Sequence, residues 1–110
     1  MVLYVVRFDI HPDKEKEYTK WIKNFLNLPL VVQGVEEFRG YRTLASTKGY
    51  IVATYQFKDL ETWAKWRSHK EIVKFLEALN NYVTNMTFEL WGPSIIVPEP
   101  IKPGSKIPKK

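Results

Sequence analysis

The sequence predicts one α+β domain of βαββαβ order. Its four-stranded antiparallel sheet carries helices on one face and meets a second copy of the chain on the other. Three observations lead there. Four runs rich in β-branched and aromatic residues are separated by two stretches of helical periodicity. One side of the strands is almost wholly apolar. The other side is mixed, yet too apolar to be left in water.

A length of 110 residues leaves room for one core. Hydrophobic content of 45%, with 15% aromatics, is enough to fill it, so disorder is not expected. The formal charge of +5 is unevenly placed. Residues 1–92 carry 13 Lys and Arg against 11 Asp and Glu, whereas 93–110 carry Lys102, Lys106, Lys109 and Lys110 against Glu99 alone. The excess therefore lies on a tail, and it does not form the basic face that nucleic-acid binding requires. The absence of cysteine excludes disulfides, Cys-based zinc sites, iron–sulfur clusters and thiol nucleophiles. The opening run lacks the marks of a signal peptide, and no apolar run approaches the ~20 residues of a membrane span. The expected location is the cytoplasm.

Val2–Ile10 reads as the first strand. His11-Pro12-Asp13 leads into a helix whose stripe is Tyr18, Trp21, Ile22, Phe25 and Leu26, and Leu28-Pro29 ends it. Gly34 marks a loop before a second strand at 35–45, and Ser46–Gly49 turns into a third at 50–58. Asp59 is the natural N-cap of a second helix, with Leu60, Trp63 and Ala64 on its buried side. The stripe resumes at Ile72, Phe75, Leu76, Leu79 and Val83, but its phase slips near Ser68-His69-Lys70, which predicts a kink or a break there. Met86–Gly92 is the fourth strand. Residues 1–92 thus form the domain. Residues 93–110 hold five of the seven prolines and read as an arm and tail, its Ser94–Val97 portion laid on the domain or on a partner.

Side chains alternate across a strand, so each strand presents two sets. One set runs Tyr4, Val6, Phe8, Ile10 on the first strand and Ile51, Ala53, Tyr55, Phe57 on the third. Phe38, Gly40, Arg42, Leu44 and Met86, Phe88, Leu90 complete it, and this face takes the helices. The opposite set includes Arg7, Arg39 and Glu89, but also Leu3, Val5, Tyr41, Tyr50, Val52 and Trp91. A homodimer joined through this sheet face would cover those rings and branched chains.

With this order of elements, three stretches resemble the dimeric α+β barrel superfamily, a ferredoxin-like fold, and within it the antibiotic biosynthesis monooxygenase-like domains. They are the first strand running into His11-Pro12-Asp13-Lys14-Glu15-Lys16-Glu17-Tyr18, the passage Gly34–Leu44 (GVEEFRGYRTL), and Phe57–His69 (FKDLETWAKWRSH). The resemblance covers about residues 2–92. It implies a pocket between sheet and helices, and, among the activities of that family, cofactor-independent oxygenation of a small quinol-like aromatic. In that case His69 would act as base, Trp66 as wall, and the substrate's own carbanion would activate oxygen. No cofactor is expected. The haem-degrading members use an Asn on the first strand and a His about ten residues beyond the helix-2 Trp; here those positions hold Val6 and Leu76, which argues against haem breakdown.

The candidate site residues are His69 as the catalytic group and Trp63, Trp66, Tyr55 and Arg42 as ligand-binding groups. Each also has a structural reading. His69 suits a helix break, the two tryptophans suit a core, and Arg42 suits a sheet edge where it reaches water. No metal-spaced cluster, paired carboxylates or Gly-rich phosphate loop is present. Two other functions compete with an enzyme. One is a non-catalytic ligand-binding or dimerisation module. The other is an RNA-recognition module, which has the same element order; Leu3-Tyr4-Val5 and Lys48–Tyr55 partly mimic its stacking motifs. Ile51, Val52 and Arg7 break that mimicry.

Overall fold

Val2–Ile10 forms β1, and its alternating β-branched and aromatic residues place it second from one edge of the sheet. In this computed structural model, which describes residues 1–104, a single 3-10 turn at Pro12–Lys14 then leads into α1, Glu15–Phe25. A four-residue helix, α2 (Leu28–Val31), comes next, with Pro29 at its first turn, where a missing N–H costs nothing. The proline expected to stop a helix thus starts another.

β2 (Glu37–Arg42) and β3 (Ile51–Phe57) form a hairpin, α3 spans Leu60–Ser68, α4 spans Lys70–Asn80, and β4 spans Val83–Trp91. The sheet order is β2-β3-β1-β4 with every pair antiparallel. This is the ferredoxin-like α+β architecture that the sequence predicts. β2 is shorter than expected at both ends; after Arg42 one more hairpin bond forms, from the Thr43 N–H to the Tyr50 carbonyl (2.7 Å), and Leu44 beyond it stands 83% exposed.

The phase slip at 68–70 is a true break. Asp59 caps α3 by accepting the Thr62 N–H (2.8 Å). His69 is extended and caps α4 by accepting the Glu71 N–H at Nδ1 (3.1 Å). Val83 belongs to β4 rather than to the helix stripe. It pairs with Ile10, and a bulge then intervenes between the Asp9–Thr84 and Arg7–Thr87 pairs. Asn85, with φ of 55°, absorbs the extra residue, so Val83 and Met86 can both face the helices although they are three apart.

Most of the predicted helix-facing set forms the core, but Arg42, Leu44, Phe88 and Leu90 of that set stand exposed on or just beyond the edge strands. Tyr4, Val6, Phe8, Tyr55 and Phe57 are buried against Tyr18 of α1, Trp66 of α3, and Ile72, Phe75, Leu76 and Leu79 of α4. Trp66 is its pivot. It packs on Tyr55 and Phe57 at 5.2 and 5.0 Å between ring centroids, and its Nε1 donates to the Pro29 carbonyl (2.9 Å), tying α3 to α2. The Gly34 loop runs close beneath it. A Cβ there would lie 3.3 Å from Thr62 Cγ2 and 3.5 Å from Trp66 Cβ, at a φ of 133° that only glycine adopts easily.

Asp9 ties the β2–β3 hairpin to the β4 bulge. Its carboxylate accepts from the backbone N–H groups of Tyr50 (2.8 Å) and Gly49 (3.1 Å) and from Asn85 Nδ2 (2.9 Å). The Tyr50 N–H, followed by Asn85 and Gly49, holds the Asp9 carboxyl below its ordinary range. A depressed carboxyl stabilises the fold above its unfolded pKa and loses that contribution as pH falls through the folded one. Asp9→Ala is therefore expected to lower stability at neutral pH by about 1 kcal/mol, read from the urea midpoint. The gap to the parent protein should close on acidification below the carboxylate range.

Candidate functional site

Large side chains set the height of the helices above the sheet at one end, and small ones leave a gap at the other. Across β1, β3 and β2, the row Tyr4–Tyr55–Phe38 is aromatic, while the next row, Val6–Ala53–Gly40, is nearly bare. Over that bare row lies a cavity of about 240 Å³. Its walls come from β1 to β3 (Val6, Phe8, Phe38, Gly40, Ile51, Ala53, Tyr55), from α1 and its C-cap (Tyr18, Ile22, Leu26) and from α4 (Phe75, Leu76, Leu79). The exposed members of this wall are Leu26 and Gly40, which place the mouth between α1 and the edge strand β2. A Cβ on Gly40 would meet nothing within 4 Å, so open space continues over the strand.

The lining is hydrocarbon and ring apart from two phenols. None of the described residues lining the cavity carries a charge or an imidazole. Burial pushes the Tyr18 phenol above its ordinary pKa, and burial followed by the neighbouring Tyr18 and Tyr4 phenols pushes Tyr55 further still. Both hydroxyls stay neutral at any physiological pH. They can orient a ligand by hydrogen bonding, but they cannot serve as bases there.

The five residues singled out in the sequence fall in different places. Tyr55 lines the cavity. Trp66 is 2% exposed and wedged in the core with its indole N–H satisfied. Trp63 stands beside Tyr4 at 5.5 Å in a separate open cleft with Arg67, Phe88 and Leu90. In that cleft the Arg67 guanidinium lies 5.9 Å from the Phe88 ring centroid, and its Nε donates to the Tyr4 hydroxyl (3.2 Å). Arg42 is exposed at the end of the edge strand. His69 is exposed at the end of α3, and it borders a groove together with Trp66, Val32, Gly34, Thr62 and Lys65. Trp63, Trp66 and His69 therefore do not enclose a common void.

Tyr18, Gly40 and Ala53 were missed as site residues. The signal for them was a cross-strand pairing of the two smallest residues on the helix-facing set. Val6 and Leu76, which replace the haem-type ligands, both line the cavity with hydrocarbon. Among the described residues, no group of three or more His, Asp or Glu is placed to hold a metal. Tyr4 and Tyr55, which mimic base-stacking positions, are buried beneath the helices and cannot meet a base from the open face. On that open face Tyr41 (50%), Tyr50 (52%) and Trp91 (46%) remain exposed beside Arg39 and Glu37. Among the described residues, no helix is long and apolar enough to cross a membrane.

Three phenols with raised pKa values, those of Tyr4, Tyr18 and Tyr55, should make the protein sensitive to alkali. A raised folded pKa contributes stability below the unfolded value near 10, and that contribution is lost as pH climbs through the folded one. Absorbance at 295 nm should show late-titrating tyrosines whose ionisation coincides with loss of far-UV circular dichroism. Tyr55→Phe should remove one late step and move the alkaline midpoint upward.

No protein-family model matches the sequence, and comparison with curated proteins finds no match. Solved structures are similar to it. A DABB family protein with a ferredoxin-like fold from Mesorhizobium loti aligns with a TM-score of 0.74 and 15% identity, covering 84% of this chain and 96% of that one. An ethyl tert-butyl ether (EthD) family protein from Bacillus halodurans gives 0.68 and 13%, over 86% of this chain and 100% of the other. An antibiotic biosynthesis monooxygenase gives 0.68 and 9%, over 86% and 99%. The chain thus carries the ferredoxin-like fold shared by DABB, EthD and antibiotic biosynthesis monooxygenase proteins.

Proposed function

We propose that this protein is a homodimer, joined through the open sheet face, that binds a small uncharged ring compound in the cavity between sheet and helices. The observation that carries the reading is the make-up of that cavity, an apolar void with two neutral phenols as its polar groups. A volume of about 240 Å³ exceeds the ~150 Å³ void that takes up benzene and is below the usual range for drug-sized ligands, so one or two fused rings fit. A charged ligand would lose its hydration and gain no counter-charge. A ring bearing one or two neutral oxygens, such as a phenol or a quinone, would keep a hydrogen bond to Tyr18 or Tyr55.

A second reading, cofactor-independent monooxygenation of a quinol-like aromatic, is favoured by the fold shared with the antibiotic biosynthesis monooxygenase. It requires a base to generate the electron-rich anion that reacts with oxygen. The phenols of the cavity are too weakly acidic to act as phenolate bases, and His69 lies in the outer groove. Binding without chemistry is the better supported function. The dimer rests on the exposed Tyr41, Tyr50 and Trp91, which no element of the described chain covers.

Titration with 1-naphthol and 1,4-naphthoquinone, monitored by quenching of intrinsic fluorescence, is expected to saturate at one site per chain. Naphthalene-1-carboxylate should bind at least tenfold more weakly. Tyr55→Phe should weaken 1-naphthol about fivefold, the worth of one hydrogen bond of ~1 kcal/mol. Ala53→Leu, which fills the void, should abolish binding while leaving the protein at least as stable. Absence of saturable binding by every neutral ring overturns the reading. Oxygen uptake with a quinol that disappears in His69→Ala would instead establish the second. Sedimentation should give a particle of twice 13.0 kDa.

A further inference from the structure

We propose that the proline-rich arm after β4 crosses to the second copy of the chain and closes the mouth of that copy's cavity. The inference rests on the dimer and cavity readings above. Each copy would then complete the other's site.

Two features of the single chain lack a counterpart. One is the cavity mouth, rimmed by Leu26, which is 42% exposed, and by Gly40, above which a Cβ would touch nothing. The other is the arm, which leaves β4 at Trp91. Ile95 and Ile96 on it are 99% and 75% exposed, and Val97 and Ile101 remain 46% and 41% exposed. A solvated linker does not need four branched aliphatic residues within seven positions. The protein measures 52 × 33 × 19 Å, and its radius of gyration of 16.3 Å exceeds the roughly 13 Å of a compact chain this long. The arm stands off the body.

Its direction is built in. Pro93 fixes one backbone angle, and the Ser94 hydroxyl accepts from the N–H groups of Ile96 (3.2 Å) and Val97 (3.1 Å), setting a turn at the exit. Pro98 and Pro100 favour an extended chain beyond that turn at ~3.1 Å per residue, so the five residues Val97–Ile101 reach about 15 Å. Within one chain, β4 and β2 are opposite edges of the sheet, and the helix layer covers the space between them. A two-fold axis parallel to the strands would set β4 of one copy beside β2 of the other, so that both free edges are covered. The arm starts level with the Trp91–Leu3–Gln56–Glu37 row, and Gly40 lies three residues further along β2, about 10 Å away. The turn at Ser94 and an arm of this length span that gap.

The protein contains no native cysteine, which makes a disulfide test direct. Leu26→Cys and Ile96→Cys are made as separate single variants, mixed and oxidised, so a heterologous bridge can form only between chains. A covalent dimer is expected from this mixture and not from Lys20→Cys mixed with Ile96→Cys. In parallel, a chain ending at Gly92 should remain dimeric by sedimentation but bind 1-naphthol about tenfold more weakly, mostly through faster dissociation. A bridge from Ile96→Cys that forms only within one chain, in the Leu26→Cys/Ile96→Cys double variant, overturns the proposal. So does unchanged naphthol dissociation on truncation. If the full chain binds no neutral ring, the cavity reading fails, and the mixed-variant bridge still decides where the arm sits.

Discussion

The height at which the helices sit above the sheet is set by Trp66. The indole fills the space over Tyr55 and Phe57, and its bond to the Pro29 carbonyl prevents it from sinking further. A close-packed interior would then need equally large residues along the rest of the sheet. It has Ala53 and Gly40 instead. Helices held up at one end and unsupported at the other must either tilt or leave a void, and here the aromatic contacts of α1 and α4 resist the tilt. Trp21 of α1 stacks on Phe75 of α4 at 5.1 Å, bracing the two helices against each other across the gap. The cavity is therefore a consequence of packing around fixed props, and its walls are as rigid as the core that makes them.

The same reasoning explains what could be read from the sequence. Strand phase was legible from the larger side chains, since Tyr4, Val6 and Phe8 alternate with Arg7 and Asp9, although Val5 and Val52 on the opposite face are buried too. The break at His69 was legible because a helical stripe cannot change phase without one. β4 was legible only from Met86, since the Asn85 bulge shifts the alternation by one residue and makes Val83 look like the end of the preceding stripe. α2 was hidden by its length of four residues and by Pro29, whose place at a first turn resembles a stop. The cavity was illegible for a deeper reason. A gap is defined by what is missing from several elements at once, and single residues report on their own burial. Trp63, Trp66 and His69 looked like a site because they are three apart on one helical stretch. Trp66 and His69 do border one groove, but Trp63 turns into the cleft with Arg67 and Phe88, so the three never meet.

Charge is sorted as strictly as size. The helix-facing side of the sheet carries Arg42 at its outer edge, while Arg7, Asp9, Arg39 and Glu89 stand on the other face or at its rim. Asp9 is spent on the Gly49 and Tyr50 amides, and Glu37 on Arg39. Ionic interactions therefore organise turns and edges, and none reaches the cavity among the described residues. A proton taken from a ligand there would have to leave through hydrocarbon or be carried by a phenol that burial keeps protonated. This favours ligands that bind and leave unchanged.

The open face poses the opposite problem, because Tyr41, Tyr50 and Trp91 lie among charges that water already satisfies. Sheet-on-sheet packing at about 10 Å would bury those rings while leaving the charged ends at the rim. Such packing holds two copies through the faces that the helices do not use, so dimer formation and ligand binding need not compete for the same surface. Apart from the crossing arm, they would be coupled where an edge strand belongs to both. β2 is that strand, since its Phe38 and Gly40 line the cavity while its Arg39 and Tyr41 face outward. A shift of β2 by a second copy would change the width of the mouth over Gly40, where no side chain stands in the way.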